Sequence, residues 1–513
     1  MKALLSAAAL LACAGCATLP SLEGRTDSHA LALTDTAGTR LARATDAPAA
    51  RHPGLTGIYA VPLAGDAFAA RVLLAAAAER SLDAQYYIWH ADETGLMLLQ
   101  ALRDAARRGV RVRLLIDDQN TKGLDGMFAA LDATPNMEVR LYNPFATRSA
   151  RFLDYLGDFS RLNRRMHNKA FIADNRVAIV GGRNIGNEYF GAGDEIPFKD
   201  LDVLAVGAAV PQLSEAFDLY WNSASAYPVT RLAGPDAARG EDLDVRFAAA
   251  RAAPDAVSYV AAVRGTPLIR DLVDRHLALE WTEAMVVRDD PAKTLEETPT
   301  RSMLALAQVL DVTGKPRHSF DLISPYFVPG EKGTATIVAL AASGVRVRVL
   351  TNSLGGTDVA VVHSGYAKRR CELARAGVQL YELKPAVTPL AEPRRRSSTD
   401  SSAAASLHAK TFAVDGEAIF VGSFNFDPRS ALLNTELGVV LKSRKLAQRL
   451  SASFDEAIPA NAYAVRARKD GACIEWIERT PRGETVLEDE PNSSWLGRAW
   501  LEFLMVLPID WML

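Results

Sequence analysis

A long internal duplication constrains this chain more than any other feature of its sequence. Residues 166–184 read MHNKAFIADNRVAIVGGRN, and residues 407–425 read LHAKTFAVDGEAIFVGSFN. Both segments contain His-x-Lys, an Asp five positions after the Lys, and a Gly-Gly or Gly-Ser pair followed by x-Asn. Their histidines, His167 and His408, are 241 positions apart. Because the same polar frame recurs in register, the two segments are predicted to form one catalytic pair.

The duplication extends well beyond these two motifs. SLDAQYYIW at 81–89 corresponds to SFDLISPYF at 319–327, and AARRGVRVRLLIDD at 105–118 corresponds to LAASGVRVRVLTNS at 340–353. The near-constant spacing of these pairs predicts two homologous halves with few insertions. Within each half, apolar strands alternate with amphipathic helices, which favours βαβ units, a largely parallel sheet and an α/β sandwich.

Each motif is predicted to begin as a β-strand, on which the His and the Lys two positions later point to the same face. The motif carboxylates, Asp174 and Asp415, then start a two-residue turn between two apolar runs, which predicts a β-hairpin. Their position leaves a structural role and a direct chemical role equally open. Asn184 and Asn425 follow a glycine-containing pair, where the backbone can approach a ligand closely.

Phosphodiester transfer is the chemistry that these groups suit. Lys169, Lys410 and the two Asn side chains can hold nonbridging phosphate oxygens, and a preorganised donor of this kind is worth about 3–4 kcal/mol in the transition state. An imidazole can attack phosphorus or protonate a leaving oxygen near neutral pH, so one His from each motif fills both roles. No His/Asp/Glu cluster in the sequence has the spacing of a zinc or two-metal site, so we expect no metal ion and no cofactor.

The paired frames resemble the phospholipase D superfamily, whose signature His-x-Lys-x4-Asp followed by Gly-Ser-x-Asn occurs twice per active site. The likeness covers about residues 60–513 and points to the bacterial cardiolipin synthases of the C class. The segments that carry it are 83–89, 163–193, 351–367 and 422–438. This resemblance implies two homologous phospholipase D-like α/β sandwich halves with the active site at their interface, a covalent phosphatidyl-histidine, and transfer of the phosphatidyl group to an alcohol.

By resemblance, His167 is the nucleophile, and His408 is the acid that releases the first alcohol and then the base that activates the second. The implied catalytic residues are His167, Lys169, Asp174, His408, Lys410 and Asp415, and the implied phosphate-binding residues are Asn184, Asn425 and Ser423. Asp200 and Glu436 occupy matching places downstream of the motifs, where an acid of the superfamily orients the His. In the first motif Gly182 replaces the usual Ser, so any hydroxyl role falls to the second motif.

Composition agrees with a large, two-part globular protein. The chain has 513 residues, of which 49% are hydrophobic and 23% charged, so more than one core is expected. A net charge of −3 disfavours a nucleic-acid partner, because such partners usually need a broad basic surface. Arg161, Arg164 and Arg165, just before the first motif, are a candidate site for an anionic lipid headgroup. The expected partners are therefore phospholipid substrates in a membrane.

Residues 1–16 have the pattern of a bacterial lipoprotein signal. A basic start is followed by an apolar run too short to span a bilayer and by small residues that lead to Cys13 and Cys16. We favour Cys16 over Cys13 as the lipidated residue, with a plain secretory signal as the alternative. The expected location is the bacterial cell envelope, as a membrane-anchored lipoprotein that faces the periplasm. The pairing of the remaining Cys371 and Cys473 does not follow from the sequence.

The remaining boundaries follow from the duplication and from local composition. Residues 17–59 lack sustained periodicity and are predicted to be a tether. Residues 60–230 and 301–465 are the two repeats, and residues 231–300, which have no counterpart motif, are interpreted as a linker and partial insertion. The C-terminal segment 466–513 is rich in Trp near its end, which suits either a membrane interface or packing on the folded core.

Three functional hypotheses follow from the sequence. The first is a phosphatidyltransferase that makes cardiolipin with phosphatidylglycerol as acceptor and, by resemblance to the C class, phosphatidylethanolamine as donor. The second keeps the covalent intermediate but lets water attack it, which gives a phospholipase D or a nuclease. The third is a lipid-binding lipoprotein without catalysis, and it is disfavoured because a scaffold needs no second His and Lys at reactive spacing.

Overall fold

The computed structural model describes residues 18–507, apart from 194–196, 235, 275–276, 358, 386–405 and 471–472. The signal peptide expected at 1–16, with its two cysteines, therefore lies outside the described residues. Within the part of the chain that is described, no helix combines the length and the apolar composition needed to cross a bilayer.

The first half is built on a sheet that contains nine of the described strands. These strands are β1 (Thr56–Val61), β2 (Ser81–Tyr86), β3 (Arg111–Asp117), β4 (Met137–Tyr142), β5 (Ala170–Ala173), β6 (Val177–Gly181), β8 (Asp202–Gly207), β9 (Ala226–Pro228) and β10 (Glu280–Thr282). Their order across the sheet is β10-β1-β8-β6-β5-β2-β3-β4-β9. The short strand β7 (Phe198–Lys199) lies outside this sheet and pairs with a strand of the second half.

The second half repeats this arrangement in a sheet of ten described strands. They are β11 (Ala284–Arg288), β12 (Ser319–Ile323), β13 (Arg346–Asn352), β14 (Gln379–Leu383), β16 (Thr411–Val414), β17 (Ala418–Gly422), β18 (Leu437–Leu441), β19 (Ala462–Ala467), β20 (Ile474–Thr480) and β21 (Gly483–Leu487). Their order is β11-β18-β17-β16-β12-β13-β14-β19-β20-β21, and β15 (Ser406–Leu407) is the partner of β7. The run β18-β17-β16-β12-β13-β14 matches β8-β6-β5-β2-β3-β4 of the first half, as the duplication predicts.

Helices connect these strands and cover the two sheets. The described α-helices are α1 (Arg40–Ala50), α2 (Ala64–Ala77), α3 (Glu93–Arg107), α4 (Asp125–Asp132), α5 (Asp154–Leu162), α6 (Asn187–Phe190), α7 (Ala209–Trp221), α8 (Val229–Ala233), α9 (Leu243–Ala252), α10 (Pro254–Val263), α11 (Pro267–Val273), α12 (Ala305–Thr313), α13 (Gly330–Ala342), α14 (Ala360–Arg375), α15 (Pro428–Leu432), α16 (Arg444–Asp455), α17 (Ala457–Asn461) and α18 (Trp495–Val506). Short 3-10 turns occur at Asp118–Asn120, Arg151–Leu153, Pro291–Thr294 and Arg301–Met303.

The predicted largely parallel sheet is wrong, because both large sheets are mixed. Only the β2-β3-β4 and β12-β13-β14 runs are parallel among the described strands of these two sheets. The motif strands β5 and β6 pair antiparallel with each other, as do β16 and β17. The two-residue turn inside each motif imposes this direction, since such a turn can join only antiparallel strands.

The two halves share a hydrophobic core as well as having one each. Leu82, Leu99 and Val112 belong to the core of the first half, whereas residues such as Leu322 belong to that of the second. A third cluster joins hairpin residues of both halves with helices α7 and α16: Met166, Ala170, Ile172, Ala178, Val180, Ala413, Ile419, Val421, Val439 and Leu213, with Ala447. The motif hairpins therefore pack against one another, which brings the two motifs together.

The segment predicted as a tether is instead part of the fold from residue 18 onward. Arg25 donates hydrogen bonds to the carbonyl oxygens of Ser223 and Ala226, at 2.6 and 2.9 Å. The buried Arg113 donates to the carbonyl of Ser28 at 2.8 Å. Strand β1 then joins the first sheet between β8 and β10. Side-chain hydrogen bonds to an irregular backbone hold the first part of this segment, before α1, and hydropathy patterns do not reveal such bonds.

The segment 231–300, interpreted as a linker, is also folded. Helices α9, α10 and α11 pack on the first half through buried residues that include Phe247, Tyr259 and Leu268. Strand β10 then forms one edge of the first sheet, and β11, one residue later, forms an edge of the second. This segment therefore connects the halves through an edge strand in each sheet.

The C-terminal segment completes the second half. Strands β20 and β21 extend its sheet, and α18 packs against α14. Cys371 on α14 forms a disulfide with Cys473, and their Cα atoms are 5.4 Å apart. The disulfide fixes the start of β20 to the helix layer of the second half.

Candidate active site

The hairpin inside each motif sets the position of every other motif residue. Asp174 and Asn175 have positive φ angles of 52° and 51°, and Asp415 and Gly416 have 54° and 65°, as a tight hairpin turn requires. The hairpins predicted from the sequence are therefore confirmed. The Asp174 carboxylate accepts hydrogen bonds from the backbone N–H groups of residues 79–81.

Asp415 repeats this arrangement with the backbone N–H groups of residues 317–319. Although burial opposes it, these hydrogen bonds lower the pKa of Asp415. The motif His and Asp are seven positions apart along a segment that contains a four-residue strand, a span of up to about 23 Å at about 3.3 Å per residue. The structure therefore favours the structural role of Asp174 and Asp415 over the catalytic role.

The backbone at each motif His pairs with the other half of the molecule. His167 donates its N–H to the carbonyl of Thr435 at 2.9 Å, and Thr435 donates to Arg165 at 2.9 Å. His408 donates its N–H to the carbonyl of Lys199 at 2.8 Å, next to the β7–β15 pair. Each motif therefore begins in a strand-like contact with the residues that precede the acid of the other half.

The two imidazoles are held crosswise by these acids. Nδ1 of His167 lies 3.0 Å from a carboxylate oxygen of Glu436, and Nδ1 of His408 lies 2.6 Å from one of Asp200. An acceptor at Nδ1 favours the tautomer in which that nitrogen carries the proton, which leaves Nε2 available for chemistry. The structure thus places each acid against the histidine of the other half, within the single site that the sequence predicted.

Both motif lysines are buried beside their own histidines. Nζ of Lys169 donates to the carbonyl of His167 at 2.6 Å, and Nζ of Lys410 lies 3.0 Å from Nδ1 of His408. Burial holds the pKa of Lys169 well below its ordinary value, and the nearby Lys410 lowers it further, while Glu436 partly offsets both effects. A bound phosphodiester would supply the negative charge that stabilises these ammonium groups.

Burial also controls the titration of the imidazoles and their acids. It lowers the pKa of His167 and of His408 well below the ordinary value, and the two lysines reinforce the shift. It raises the pKa of Glu436 to about 7, against the opposing charge of Lys169. The pKa of Asp200 is raised for the same reason. The imidazoles are therefore neutral near pH 7, as a nitrogen nucleophile must be.

The difference between Gly182 and Ser423 is explained by the two acids. The Ser423 hydroxyl donates to the carboxylate of Glu436 and accepts from the N–H of Leu437 at 3.0 Å. A Cβ atom at Gly182 would collide with the Asp200 carboxylate. Because Asp is shorter than Glu, its carboxylate occupies the space that a Ser side chain would need. The contacts of Ser423 are therefore to an orienting acid.

The two motif asparagines differ in their surroundings. Asn184 accepts from the N–H of Ile88 at 3.2 Å and donates to the hydroxyl of Tyr189 at 3.0 Å, so its amide is already engaged. Asn425 is also buried, and its Oδ1 has no hydrogen-bond partner among the described residues. Phosphate binding by these two residues stays a prediction. In the structure, the Asn184 amide is already hydrogen-bonded to Ile88 and Tyr189.

Sequence reasoning missed several side chains that shape the site. The ring of Tyr87 lies 5.0 Å from that of His167, and Phe198 stacks on His408 at 5.0 Å. Asp289 accepts the backbone N–H of Glu436 at 2.8 Å and pairs with the buried Lys293. Both Asp289 and Lys293 lie in the segment interpreted as a linker, which has no counterpart in the other repeat to mark them.

The arginine cluster suggested as a headgroup site is engaged in the fold instead. Arg165 is buried and donates to the carbonyl of Asn143, and Arg164 donates to Ser160. Arg161 pairs with Asp158. These contacts hold the chain that leads into the first motif.

An apolar cavity lies between the halves, beside the His408–Asp200 pair. Its volume is about 440 Å³, within the range of small-molecule sites. Asp200 and Phe198 form part of its wall, and most of the remainder is aliphatic: Leu63, Ile323, Leu350, Leu383, Leu407, Leu446, Leu450 and Ile458.

Comparison with known proteins places this site in a family. The model of the family described as "Cardiolipin synthase, PLD-like domain" matches residues 72–221 and 309–458, one match for each half. The chain is 45% identical over 476 residues to Cardiolipin synthase C of Escherichia coli K12, across 92% of this chain and 100% of that protein. It is 25% identical over 374 residues to a cardiolipin synthase of Listeria monocytogenes serotype 4a (strain HCC23), across 73% of this chain and 63% of that one.

A solved structure shares the fold. The crystal structure of phosphatidylserine synthase from Haemophilus influenzae Rd KW20 matches with a TM-score of 0.58 at 13% identity, across 92% of this chain and 100% of that one. The expected fold of two phospholipase D-like α/β halves is thereby confirmed. With the duplicated motif, the crosswise imidazole–carboxylate pairs and these matches together, the chain belongs to the cardiolipin synthase family of phospholipase D-like phosphatidyltransferases.

Proposed function

We propose that this protein makes cardiolipin by transferring a phosphatidyl group from a donor phospholipid to phosphatidylglycerol. The observation that carries the proposal is the crosswise pairing of His167 with Glu436 and of His408 with Asp200, at 3.0 and 2.6 Å. Two neutral imidazoles, each held at Nδ1 by a carboxylate, and two buried lysine side chains are the groups that a double displacement at phosphorus needs.

In the first step Nε2 of His167 attacks phosphorus, and the bond from phosphorus to the donor alcohol breaks. His408 gives a proton to the departing oxygen, and Asp200 stabilises the imidazole that carries the proton. The anionic phosphodiester raises the pKa of His408 when it binds, because an opposite charge favours the protonated form. The product is a phosphatidyl-histidine at His167 and a free alcohol.

In the second step His408 removes a proton from a hydroxyl of phosphatidylglycerol. The resulting oxygen attacks phosphorus, the P–N bond to His167 breaks, and both imidazoles return to their starting state. Lys169 and Lys410 balance the charge of the nonbridging oxygens throughout. Phosphatidylethanolamine is the donor that the resemblance to the C class favours.

The apolar cavity beside Asp200 supports a lipid substrate. Its aliphatic wall suits an acyl chain better than a sugar–phosphate backbone, and a net charge of −3 also disfavours nucleic acid. The second candidate is hydrolysis by the same intermediate, with water as the acceptor. Hydrolysis would use the same residues as phosphatidyl transfer, and the two reactions would differ only in the acceptor of the second step.

Purified protein incubated with labelled phosphatidylglycerol, with and without phosphatidylethanolamine, separates the candidates. Labelled cardiolipin is the expected product, and its formation should rise when phosphatidylethanolamine is added. Formation of phosphatidic acid without cardiolipin would show that the protein hydrolyses the donor lipid and does not transfer its phosphatidyl group. Cleavage of DNA with both lipids untouched would overturn the lipid assignment.

We further propose that the enzyme is a lipoprotein of the bacterial cell envelope that faces the periplasm. The Cys371–Cys473 disulfide supports an oxidising compartment, where such bonds persist. The signal-like residues 1–16 support lipidation at Cys16, with Cys13 as the alternative. Radioactive palmitate should label the parent protein and should not label Cys16→Ser. If the label is lost only in Cys13→Ser, the lipidated residue is Cys13.

A further inference from the structure

Two exposed apolar patches stand out from the scattered apolar residues of the surface. The first lies on the 3-10 turn Arg151–Leu153 and helix α5, where Phe152 and Leu156 are 68% and 79% exposed and Leu153 and Phe159 are each 41% exposed. Grouped aromatic and aliphatic side chains of this size are unusual on a soluble surface and mark an interaction site.

The second patch lies on α18. Trp495, Leu496, Trp500, Phe503 and Val506 are between 53% and 82% exposed, while Leu501 and Leu504 on the opposite face are buried. The helix therefore packs on α14 with one side and presents its aromatic side outward. Trp is favoured where a protein meets the headgroup region of a bilayer.

The first patch is fixed to the rim of the active site. Helix α5 ends at Leu162, and the next residue, Asn163, accepts hydrogen bonds at 2.7 and 2.8 Å from Arg429 of the second half. Arg165 then donates its N–H to Asn434, next to the Thr435 that pairs with His167. A short, hydrogen-bonded stretch of chain thus joins the patch to the catalytic histidine.

The second patch is connected to the second motif through the C-terminal end of β13. Trp500 and Leu501 line a small cleft together with Leu354, which follows the end of β13 at Asn352. The side chain of Asn352 exchanges two hydrogen bonds of 3.1 Å with the backbone of Leu407, the residue before His408. Strands β2 and β12 pair with the motif strands, so that Gln85 lies opposite Ala170 and Ile323 opposite Thr411. Each patch is therefore connected through hydrogen-bonded chain to one of the two motif histidines.

We propose that these two patches form the surface on which the protein lies on a phospholipid bilayer, so that the catalytic cleft opens toward the lipid headgroups. The inference rests on the proposed function, since a transferase of two membrane lipids must reach both from the bilayer surface. The occupant is the bilayer rather than a second copy of the chain, because a short hydrogen-bonded stretch of chain joins each patch to one of the two histidines that must receive a membrane lipid. Interfacial helices of this kind bind by burying apolar side chains at the headgroup boundary.

Tryptophan quenching tests the contact directly. Leu156→Trp is compared with Val245→Trp, a 64% exposed position on α9, in the full-length protein reconstituted in vesicles of phosphatidylglycerol and phosphatidylethanolamine with brominated acyl chains. We expect the added fluorescence at 156 to be quenched and that at 245 to be unaffected, after subtraction of the parent signal. Equal quenching at the two positions would overturn the proposal.

Activity supplies the second readout. In Leu156→Ser with Phe159→Ser, turnover of long-chain lipids in vesicles should fall about tenfold or more, while turnover of dispersed short-chain lipids stays near the parent value. The matched control is Val245→Ser with Val257→Ser, which should change neither. An equal loss on both substrates would overturn the proposal. So would unaltered vesicle turnover together with a lower molecular mass in solution, which would show that the patch binds a second copy of the chain. A parent protein that makes no cardiolipin from either substrate would refute the proposed function, and the quenching result would still decide the docking surface.

Discussion

At the scale of single residues, the acids that hold the imidazoles decide what the site can do. Asp200 and Glu436 were identifiable from matching places after the two motifs, and the resemblance implied their orienting role. That each acid serves the histidine of the other half was not predictable, because sequence spacing says nothing about contacts between halves. The same holds for Asp289, whose carboxylate fixes the Glu436 backbone from a segment without any motif.

Replacement of Glu436 by Gln tests whether the Glu436 carboxylate orients the His167 imidazole for catalysis. The neutral amide removes the negative charge at Nδ1 of His167 and can present its NH2 group there, which favours the wrong tautomer, so kcat should fall about 10²–10⁴-fold. Because the pKa of Glu436 is about 7, the carboxylate is present above that pH and is lost as the pH falls through it. The parent should therefore lose kcat/KM as the pH falls through about 7, and Glu436→Gln should lack that limb. An unchanged limb in the variant would contradict this role.

Gly182→Ser restores the residue that the superfamily signature has at this position, and yet we expect it to reduce activity. The new Cβ would collide with Asp200 and displace the acid from His408, which should reduce kcat about 10²-fold. Steady-state kinetics at saturating lipid measures the loss. Asp200→Gly removes the collision but also removes the acid that orients His408. The double variant Gly182→Ser with Asp200→Gly should therefore be no more active than Asp200→Gly alone. Full activity in Gly182→Ser would refute the steric argument.

At the scale of elements, the hairpins followed from local rules and the sheet direction did not. An Asp-Asn or Asp-Gly pair between apolar runs dictates a tight turn, so both hairpins were predictable. The mixed sheets were missed because alternating strands and helices suggest parallel pairing, and the hairpin that follows reverses the direction. The folded segment 18–59 was missed because polar side chains hold it.

Asp174→Ala should damage the fold more than the chemistry. Several backbone N–H groups lose their acceptor, and the free energy of unfolding should fall by about 1–3 kcal/mol. Urea denaturation measures that change, while kcat of the folded protein should stay near the parent value. Asp200→Asn is the matched control, with the opposite result: a large loss of kcat with a smaller change in stability. Loss of kcat in a fully folded Asp174→Ala would restore a catalytic role for this carboxylate.

At the scale of the whole molecule, neither half contains a complete imidazole–carboxylate pair. Each half supplies an imidazole and the acid for the other imidazole, and the hairpins of both halves share one hydrophobic cluster. The duplication predicted two equivalent units, and this reciprocal exchange explains why both motifs keep a complete set of polar residues. Of the two alternatives that the sequence left open for the C-terminal segment, packing on the folded core is confirmed for one face of α18, and contact of its exposed face with a membrane stays a prediction.

The disulfide should contribute to the stability of the second half. Cys371 and Cys473 are separated by 102 positions, and closing a loop of that length typically stabilises a protein by about 2–4 kcal/mol. The double variant Cys371→Ser with Cys473→Ser should therefore unfold at a lower temperature than the parent in calorimetry. Reduction with dithiothreitol should lower the parent to the same value. Equal unfolding temperatures for all three samples would show that the bond contributes nothing.

The central claim is that His167 attacks phosphorus and His408 handles the protons, and trapping the intermediate tests it most directly. The His408→Asn variant, given a donor lipid with a good leaving group, is digested under basic conditions and the adduct is located by mass spectrometry. The account predicts a phosphatidyl adduct on the peptide that contains His167, and none in His167→Asn. An adduct that persists in His167→Asn and disappears in His408→Asn would contradict it.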